Sequence, residues 1–381
     1  MSRLHQGRLT AAALAALGAV GCVAALISNK AQAPLAYLAA FGWLASSALS
    51  ALVLLAIGHA VSARWFVVLR GLCASLVATL PALPVLFVPV LLALPAIYPW
   101  AQQDAPSSTQ QARVFGVPWM SAGPFLARAA LYLCVWLVLG EALRRVSLAP
   151  ARRTLLTRNA PTLGGVALPV LGVTGTWAAF DWLMSTAPGL RMTSLGMYWL
   201  TGGFAAAVGA LAIVLYCARE SGLLPPEVGE DHTFALARLQ LSAVCLWAYI
   251  AVSQLIIVWS ADLPSEAAFY VARSAGAWRY FSALLVLGHF VLPFLLLLSY
   301  RWKRRPAFAA AMGGWIVLMH GLDSYWLLVP GSARGPSLFD AAPFVLLGAL
   351  GVLLGLLRFS AGQTVPADDP ALAASLGYEA R

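Results

Sequence analysis

Long uninterrupted apolar runs constrain this chain more than any other feature of its sequence. A helix needs about 20 predominantly apolar residues to cross the hydrocarbon core of a bilayer. Ten segments meet that requirement: 9–28, 36–61, 72–96, 120–143, 162–182, 194–217, 236–259, 278–300, 307–329 and 338–358. The runs are continuous and do not alternate, which excludes a transmembrane β-barrel. We predict an all-α polytopic membrane protein with about ten transmembrane helices, in a single transmembrane domain over 1–359 followed by a polar cytoplasmic tail over 360–381.

The composition agrees with this fold class. Hydrophobic residues make up 61% of the 381 residues and charged residues 10%, whereas a soluble domain carries about a quarter charged residues. A sizeable soluble domain therefore does not fit. The net charge of +10 is typical of loops that face the cytoplasm and anionic lipid, so we expect no nucleic-acid partner.

The distribution of Lys and Arg predicts the orientation. Seventeen of the 24 lie in loops on the side of the N-terminus, six lie on the other side, and Arg128 lies inside the fourth segment. Because cytoplasmic loops carry the excess of basic residues, we expect a multi-pass protein of the bacterial inner membrane with both termini in the cytoplasm. The start of the chain resembles a signal peptide, but its apolar run has the length of a span, so we interpret it as a retained first helix.

The five cysteines, Cys22, Cys73, Cys134, Cys217 and Cys245, all lie in apolar runs. No C-x-x-C or C-x-x-C-H motif is present, which argues against haem c attachment, an iron–sulfur cluster or a structural zinc site in this chain. We expect the cysteines to be small buried packing residues, and we predict that the chain holds no cofactor and no metal of its own.

Ionisable residues inside the membrane are costly and therefore informative. The candidates for a proton pathway are Asp181, His289, His320, Asp323, Arg128 and His59. His320 and Asp323 are three residues apart and share one helix face, and His289 lies at a similar depth on the preceding segment. A His–His–Asp line from mid-membrane to the outer face has the spacing that a proton relay needs. The alternatives are that each histidine is a neutral buried donor, or that His289 and His320 ligate a haem b.

Two further expectations concern the ends of the segments. Asp181 follows Phe180 and precedes Trp182, which is typical of a membrane–water boundary; it either has a functional role, caps the following turn or pairs with Arg191. Arg128 needs a partner or a polar cavity, and the acceptors considered are Asp181, Asp323 and Asp340. Most Tyr and Trp residues near segment ends are typical of an interfacial aromatic belt: Tyr98, Trp100, Trp119, Trp182, Tyr198, Trp199, Trp259, Tyr325 and Trp326.

Several stretches taken together resemble one family. They are residues 63–65, 125–132, 180–185, 194–198, 247–254, 288–294 and 320–326. This ordered set is similar to the ActF-type, polysulfide-reductase-like (NrfD-like) membrane subunit of alternative complex III, a bacterial quinol:cytochrome c oxidoreductase of the respiratory chain. The likeness covers most of residues 36–330.

The resemblance implies a fold and a set of partners. It implies two four-helix bundles plus two peripheral helices, a paralogous quinol-binding membrane subunit, a periplasmic iron–sulfur subunit and haem c subunits. Quinol, haem c and the iron–sulfur clusters would then belong to the partners, and this subunit would take part in proton conduction. The matching positions are Asp181, His289, His320 and Asp323, with Arg128 as counter-charge.

Two other functions remain open at this point. A quinol-oxidising subunit would need a His or Asp beside a lateral opening near the outer face, and Asp181 with Trp182 could serve. A proton-coupled transporter would favour broken helices at mid-depth, and Pro293 is the best such break, although no inverted partner segment is visible.

Overall fold

The computed structural model describes residues 2–102, 113–114, 117–148, 158–187, 192–331, 335–358, 369 and 371–380. Within them, long helices run in alternate directions. The helices are α1 (Ser2–Ser28), α2 (Ala33–Ala60), α3 (Arg70–Val77), α4 (Leu83–Leu92), α5 (Leu94–Ile97), α6 (Ala122–Leu148), α7 (Ala160–Trp182), α8 (Leu195–Glu220), α9 (Glu230–Ala261), α10 (Pro264–Ser274), α11 (Trp278–Leu284), α12 (Leu292–Leu298), α13 (Tyr300–Lys303), α14 (Pro306–Leu328), α15 (Ala342–Arg358) and α16 (Leu372–Leu376).

Shorter elements connect them. A π-helical segment, Leu285–Val291, joins α11 to α12. Short 3₁₀ helices lie at Arg64–Leu69, Leu80–Ala82, Pro99–Ala101, Met184–Thr186, Val329–Gly331 and Leu338–Ala341. Strands β1 (Arg113–Val114) and β2 (Val117–Pro118) form a small antiparallel hairpin in the loop before α6.

The fold class predicted from the apolar runs is confirmed. Nine helical spans in the described part of the chain are long and apolar enough to cross a membrane, and α14 is a further helix of 23 residues. Lipid offers no hydrogen-bonding partner to the backbone, so continuous apolar runs become helices. Helix α14 is long enough but less apolar than the other spans, because it carries polar side chains, His320 and Asp323 among them, that are buried inside the protein.

The helices pack as two groups of four with two helices outside. The first bundle contains α2, the α3–α4 pair, α6 and α7, and the second contains α8, α9, the α11–α12 pair and α14. Helix α2 also packs against α8 and α14 and so joins the bundles, while α1 and α15 pair at the periphery. This is the grouping that the resemblance implied. Inside the second bundle, α8 and α14 approach closely at Gly209 and Gly313, where a Cβ atom on either glycine would collide with the backbone of the other.

Several predicted boundaries were wrong for local reasons. Helices α1 and α9 begin at residues 2 and 230, well before residues 9 and 236, because a helix continues past the edge of its apolar run. In α9 the acidic Glu230 and Asp231 lie in the first turn, where the positive end of the helix dipole stabilises negative charges. The segment 72–96 is broken into 3₁₀ turns and short helices that carry several prolines.

The face of the protein where α1 begins is called here the N-terminal face, and the other the opposite face. Part of the tail predicted over 360–381 lies outside the described residues, but Asp369 and 371–380 pack on the N-terminal face. Asp369 forms an ion pair with Arg70 at 2.8 Å, and α16 packs against the turn Arg64–Leu69. Ser375, at the centre of this contact, is fully buried.

Candidate functional site

Asp323 lies in the core of the second bundle and is only 2% exposed. Its carboxylate accepts hydrogen bonds from the Tyr198 hydroxyl of α8 and from the Trp247 indole nitrogen of α9 at 3.1 Å. No arginine or lysine among the described residues forms an ion pair with it; the nearest basic atom is His320 Nδ1, 4.0 Å from Oδ2. Asp323 is therefore a buried carboxyl group held by neutral donors.

His320 is fixed from its other side by α2. Its Nε2 lies 2.8 Å from the Ser46 hydroxyl, and that hydroxyl donates to the Trp43 carbonyl at 3.1 Å. The single hydroxyl proton goes either to the Trp43 carbonyl or to Nε2, and the tautomer of the ring decides which. The other ring nitrogen, Nδ1, faces Asp323. This nitrogen is buried and has no hydrogen-bond partner within the described part of the protein.

His289 completes the group, which we call the His–His–Asp cluster (His289, His320 and Asp323). Its ring stacks on Trp247 with the ring centroids 3.9 Å apart, and its centroid is 6.5 Å from that of His320. Both ring nitrogens are buried without a partner among the described residues. The sequence-based prediction that these three residues lie together is confirmed; their role as a relay stays a prediction.

The backbone at His289 is π-helical over Leu285–Val291. Pro293 follows this segment in the first turn of α12, and a proline ring removes one backbone donor and crowds the carbonyl four residues earlier, which is that of His289. A π-helical turn relieves this clash and occurs often at functional sites. The break expected at Pro293 is thus present as a π segment that carries His289 into the core.

The second polar cluster lies in the first bundle, where α6 meets the end of α7. Arg128 donates two hydrogen bonds to Asp181, from Nε at 2.7 Å and from Nη2 at 2.9 Å. The Tyr132 hydroxyl donates to the same carboxylate at 2.9 Å, and Arg128 also stacks over the ring of Trp119. Asp181 is one of the partners expected for Arg128. Arg191, the other partner considered for Asp181, lies outside the described residues.

The interfacial belt predicted from the aromatic residues was largely wrong. Trp182 is fully buried among aromatic rings of both bundles: Phe41, Phe87, Tyr132, Trp136 and Trp199. Tyr98, Trp100, Tyr198, Trp199 and Tyr325 are buried as well, whereas Trp259 is exposed as a belt residue should be. Proximity to a segment end does not distinguish a ring that faces lipid from one that faces a neighbouring helix.

The cysteine prediction was also mostly wrong. Only Cys73 is buried; Cys134 and Cys217 are exposed on the protein surface, and Cys22 and Cys245 are half-buried. An apolar run contributes both lipid-facing and core-facing positions, and a small apolar thiol suits either.

His59 belongs to neither cluster. It lies at the end of α2 on the N-terminal face, is buried, and bonds the Ser147 hydroxyl of α6 at 2.8 Å. Gly164 of α7 packs directly over it. These contacts tie α2, α6 and α7 together, so the geometry separates His59 from the other candidates.

Sequence reasoning did not identify four side chains that complete the clusters: Tyr198, Trp247 and Ser46 around the His–His–Asp cluster, and Tyr132 at Asp181. Tyr132, Tyr198 and Trp247 lie inside the stretches that resemble the family, and this position was the sequence feature that could have identified them. Their hydroxyl and indole groups come from other helices, so spacing along the chain does not reveal them.

Within the described ranges, no group of three or more His, Cys, Asp or Glu side chains is arranged to hold a metal ion. The fold and the two clusters define a class: an all-α polytopic membrane protein with one buried carboxylate cluster in each of two bundles. No family model matches the chain, and no curated protein matches it.

Proposed function

We propose that this protein is a cofactor-less membrane subunit of a quinol:cytochrome c oxidoreductase complex of the alternative complex III type, that it anchors partner subunits, and that it conducts protons. One observation carries the proposal for protons: among the described residues, the buried Asp323 forms no ion pair with arginine or lysine and lies beside two histidines with unpartnered nitrogens. The family resemblance over residues 36–330 supports the choice of complex.

Asp181 and Asp323, two of the buried aspartates, suit different tasks. Asp181 forms a two-bond ion pair with Arg128, and charge-assisted hydrogen bonds of this kind are strong. Asp323 is held by neutral donors, so it can gain and lose a proton without breaking an ion pair. His320 lies next to both other members of the cluster, with Nδ1 4.0 Å from Asp323 Oδ2 and its ring centroid 6.5 Å from that of His289. These residues are therefore the ones through which a proton would pass.

The partners in this proposal are a paralogous quinol-binding membrane subunit, a periplasmic iron–sulfur subunit and haem c subunits. The protein would lie in the bacterial inner membrane with both termini cytoplasmic, so the N-terminal face would face the cytoplasm. Gentle extraction of native membranes followed by mass spectrometry tests the partners. We expect haem c proteins, an iron–sulfur protein and a second polytopic subunit to co-purify; a chain that emerges alone or as a homo-oligomer would contradict the proposal.

Proton conduction is tested by Asp323→Asn and His320→Ala in the assembled complex. We expect both variants to assemble and to move fewer protons per electron, because each removes one proton-carrying group of the cluster. Glu141→Gln is the matched control, since Glu141 forms only peripheral pairs with Arg144 and Arg145. An unchanged proton-to-electron ratio in both cluster variants would rule out the relay.

A proton-coupled transporter is the second candidate, and the π segment favours it. Interrupted helices beside buried ionisable groups are typical of transporter binding sites, and His289 lies within such an interruption. Substrate uptake into proteoliposomes that contain this chain alone would support the transporter; a proton gradient that drives no uptake, together with co-purified redox partners, would exclude it.

A further inference from the structure

Arg273 is the one described arginine of α10, and it is buried without a carboxylate partner in the described part of the protein. Its side chain is only 5% exposed. Three hydrogen bonds satisfy it, all to backbone carbonyls: Phe269 at 2.8 Å, Trp326 at 2.9 Å and Leu327 at 2.6 Å. The guanidinium also lies 3.4 Å from the centroid of the Phe269 ring.

These bonds place a positive charge on the end of α14. The carbonyls of Trp326 and Leu327 belong to the last turn of that helix, where the helix dipole is negative and favours a cation. Leu327 is one helical turn beyond Asp323, about 6 Å along the axis. The charge of Arg273 therefore lies at the opposite-face end of the helix that carries Asp323.

Tyr198 connects the two groups. Its hydroxyl donates to Asp323. Burial lowers the pKa of Arg273 to about 9, and the nearby Tyr198 and Tyr270 oppose that shift. Arg273 thus remains a cation at neutral pH. Asp181 has its arginine in direct contact, whereas the arginine near Asp323 bonds the helix end one turn further along.

We infer that Arg273 is a positioning residue that fixes the end of α14 and, through Tyr198, sets the proton affinity of Asp323. This inference deepens the proposed proton conduction and rests on it for its biological meaning. A cation bound one helical turn beyond Asp323 favours the ionised form of its carboxyl group without forming an ion pair with it. It would also favour proton release toward the opposite face.

Other groups around Asp323 do not supply this charge. The neighbouring elements contribute uncharged hydroxyl and indole groups and two imidazoles. They are Tyr198 of α8, Trp247 of α9, His289 of the π segment, His320 of α14, Ser46 of α2 and Tyr270 of α10. Among the described residues, Arg273 is the arginine that bonds the last turn of the helix carrying His320 and Asp323.

The test is the pH profile of carbodiimide labelling, because dicyclohexylcarbodiimide reacts with protonated carboxyl groups in apolar surroundings. The full chain in lipid nanodiscs would be labelled at a series of pH values, and mass spectrometry would quantify the adduct on Asp323. Asp323→Asn supplies the blank. No partner subunit is needed, so a failure here is distinct from a failure of the proposed complex.

We expect Arg273→Gln to move the midpoint of labelling upward by about one pH unit, which is the size of effect that a lost charge has near a protein interior. Arg273→Lys keeps the charge and should leave the midpoint in place while thermal stability falls, because lysine lacks the planar fork that binds several carbonyls. Arg279→Gln is the control: Arg279 lies near the start of the next helix but is exposed and bonds only Tyr280.

An unchanged midpoint in Arg273→Gln, or equal shifts in the Gln and Lys variants, would overturn the inference and leave Arg273 a purely structural cap. If Arg273→Gln does not fold, Arg273→Met gives the same answer, since it keeps a long side chain and removes the charge. We expect its midpoint to rise as well; a midpoint like that of the unmodified protein would overturn the inference.

Discussion

At the scale of the residue, Asp181 and Asp323 show how the partners of a buried aspartate differ. Each accepts a tyrosine hydroxyl from a neighbouring helix. Asp181 also accepts two hydrogen bonds from Arg128, whereas the described donors to Asp323 are neutral. One carboxylate therefore ties two helices by an ion pair, and the other is the one through which we propose that protons pass.

This difference predicts that the ion pair of Asp181 stabilises the fold. Asp181→Asn should lower the free energy of unfolding by about 3–5 kcal/mol, because it leaves the half-buried Arg128 without a counter-charge. Glu141→Gln, which breaks exposed pairs, should cost less than about 1 kcal/mol. Thermal unfolding in detergent measures both.

A double variant separates charge from packing. Arg128→Met with Asp181→Leu removes both charges, and we expect it to recover much of the stability that Asp181→Asn loses. If Asp181→Asn unfolds at the same temperature as the unmodified protein, the ion pair does not stabilise the first bundle and the structural role assigned to Asp181 is wrong.

At the scale of the element, glycines determine where helices come close enough to form the cluster. A Cβ atom on Gly202 of α8 would lie 2.7 Å from His320 Nδ1 and 3.3 Å from Trp247 Cδ1. Gly202 therefore makes room for the imidazole ring. Gly172 of α7 has nothing within 4 Å of its would-be Cβ, so it provides a matched control on another membrane helix.

We expect Gly202→Ala to lower stability by about 1–3 kcal/mol, because the ring must shift in a close-packed core. It should also lower carbodiimide labelling of Asp323 or move its pH profile, since the ring is the neighbour of that carboxyl. Gly172→Ala should be neutral or slightly stabilising, because alanine is the better helix former. Equal behaviour of the two variants would show that the close approach at Gly202 is not a constraint.

The elements also show where sequence reasoning was sufficient. Ten apolar runs correspond to the long helices, since hydrophobicity and length govern insertion. The sequence predicted only a break at Pro293 and not a π-helical segment. The backbone distortion that a proline causes depends on how the helix packs against neighbouring helices. Helix α14 was predicted as the segment 307–329, although His320, Asp323 and Ser324 lie in its second half.

At the scale of the whole molecule, the last residues return to the N-terminal face. The Val68 amide donates to the Ser375 hydroxyl at 3.3 Å, His232 bonds the Ser375 carbonyl at 2.9 Å, and Asp369 pairs with Arg70. The end of the chain thus contacts the third span and the start of α9, which belong to different bundles.

Deletion of residues 369–381 should lower stability by about 1–3 kcal/mol, because it leaves a buried amide, a histidine and an arginine without partners. Thermal unfolding is the measurement, and faster proteolysis near residues 64–70 is a second readout. Glu379→Gln serves as the control because Glu379 is exposed. A truncated protein as stable as the full chain would show that the docked tail contributes nothing to the fold.

The sequence by itself determined the class of protein, about how many long helices it has and the shared helix face of His320 and Asp323. These properties follow from hydrophobicity, length and helical periodicity, which are local. Only the tertiary structure decided that Asp181 pairs with Arg128, that Asp323 has no cation of its own, and that Trp182 faces a core and not the lipid headgroups. Each of these outcomes depends on side chains from other helices. In a membrane protein, lipid-facing and core-facing apolar positions look alike in sequence, so helix packing alone decides which polar groups meet.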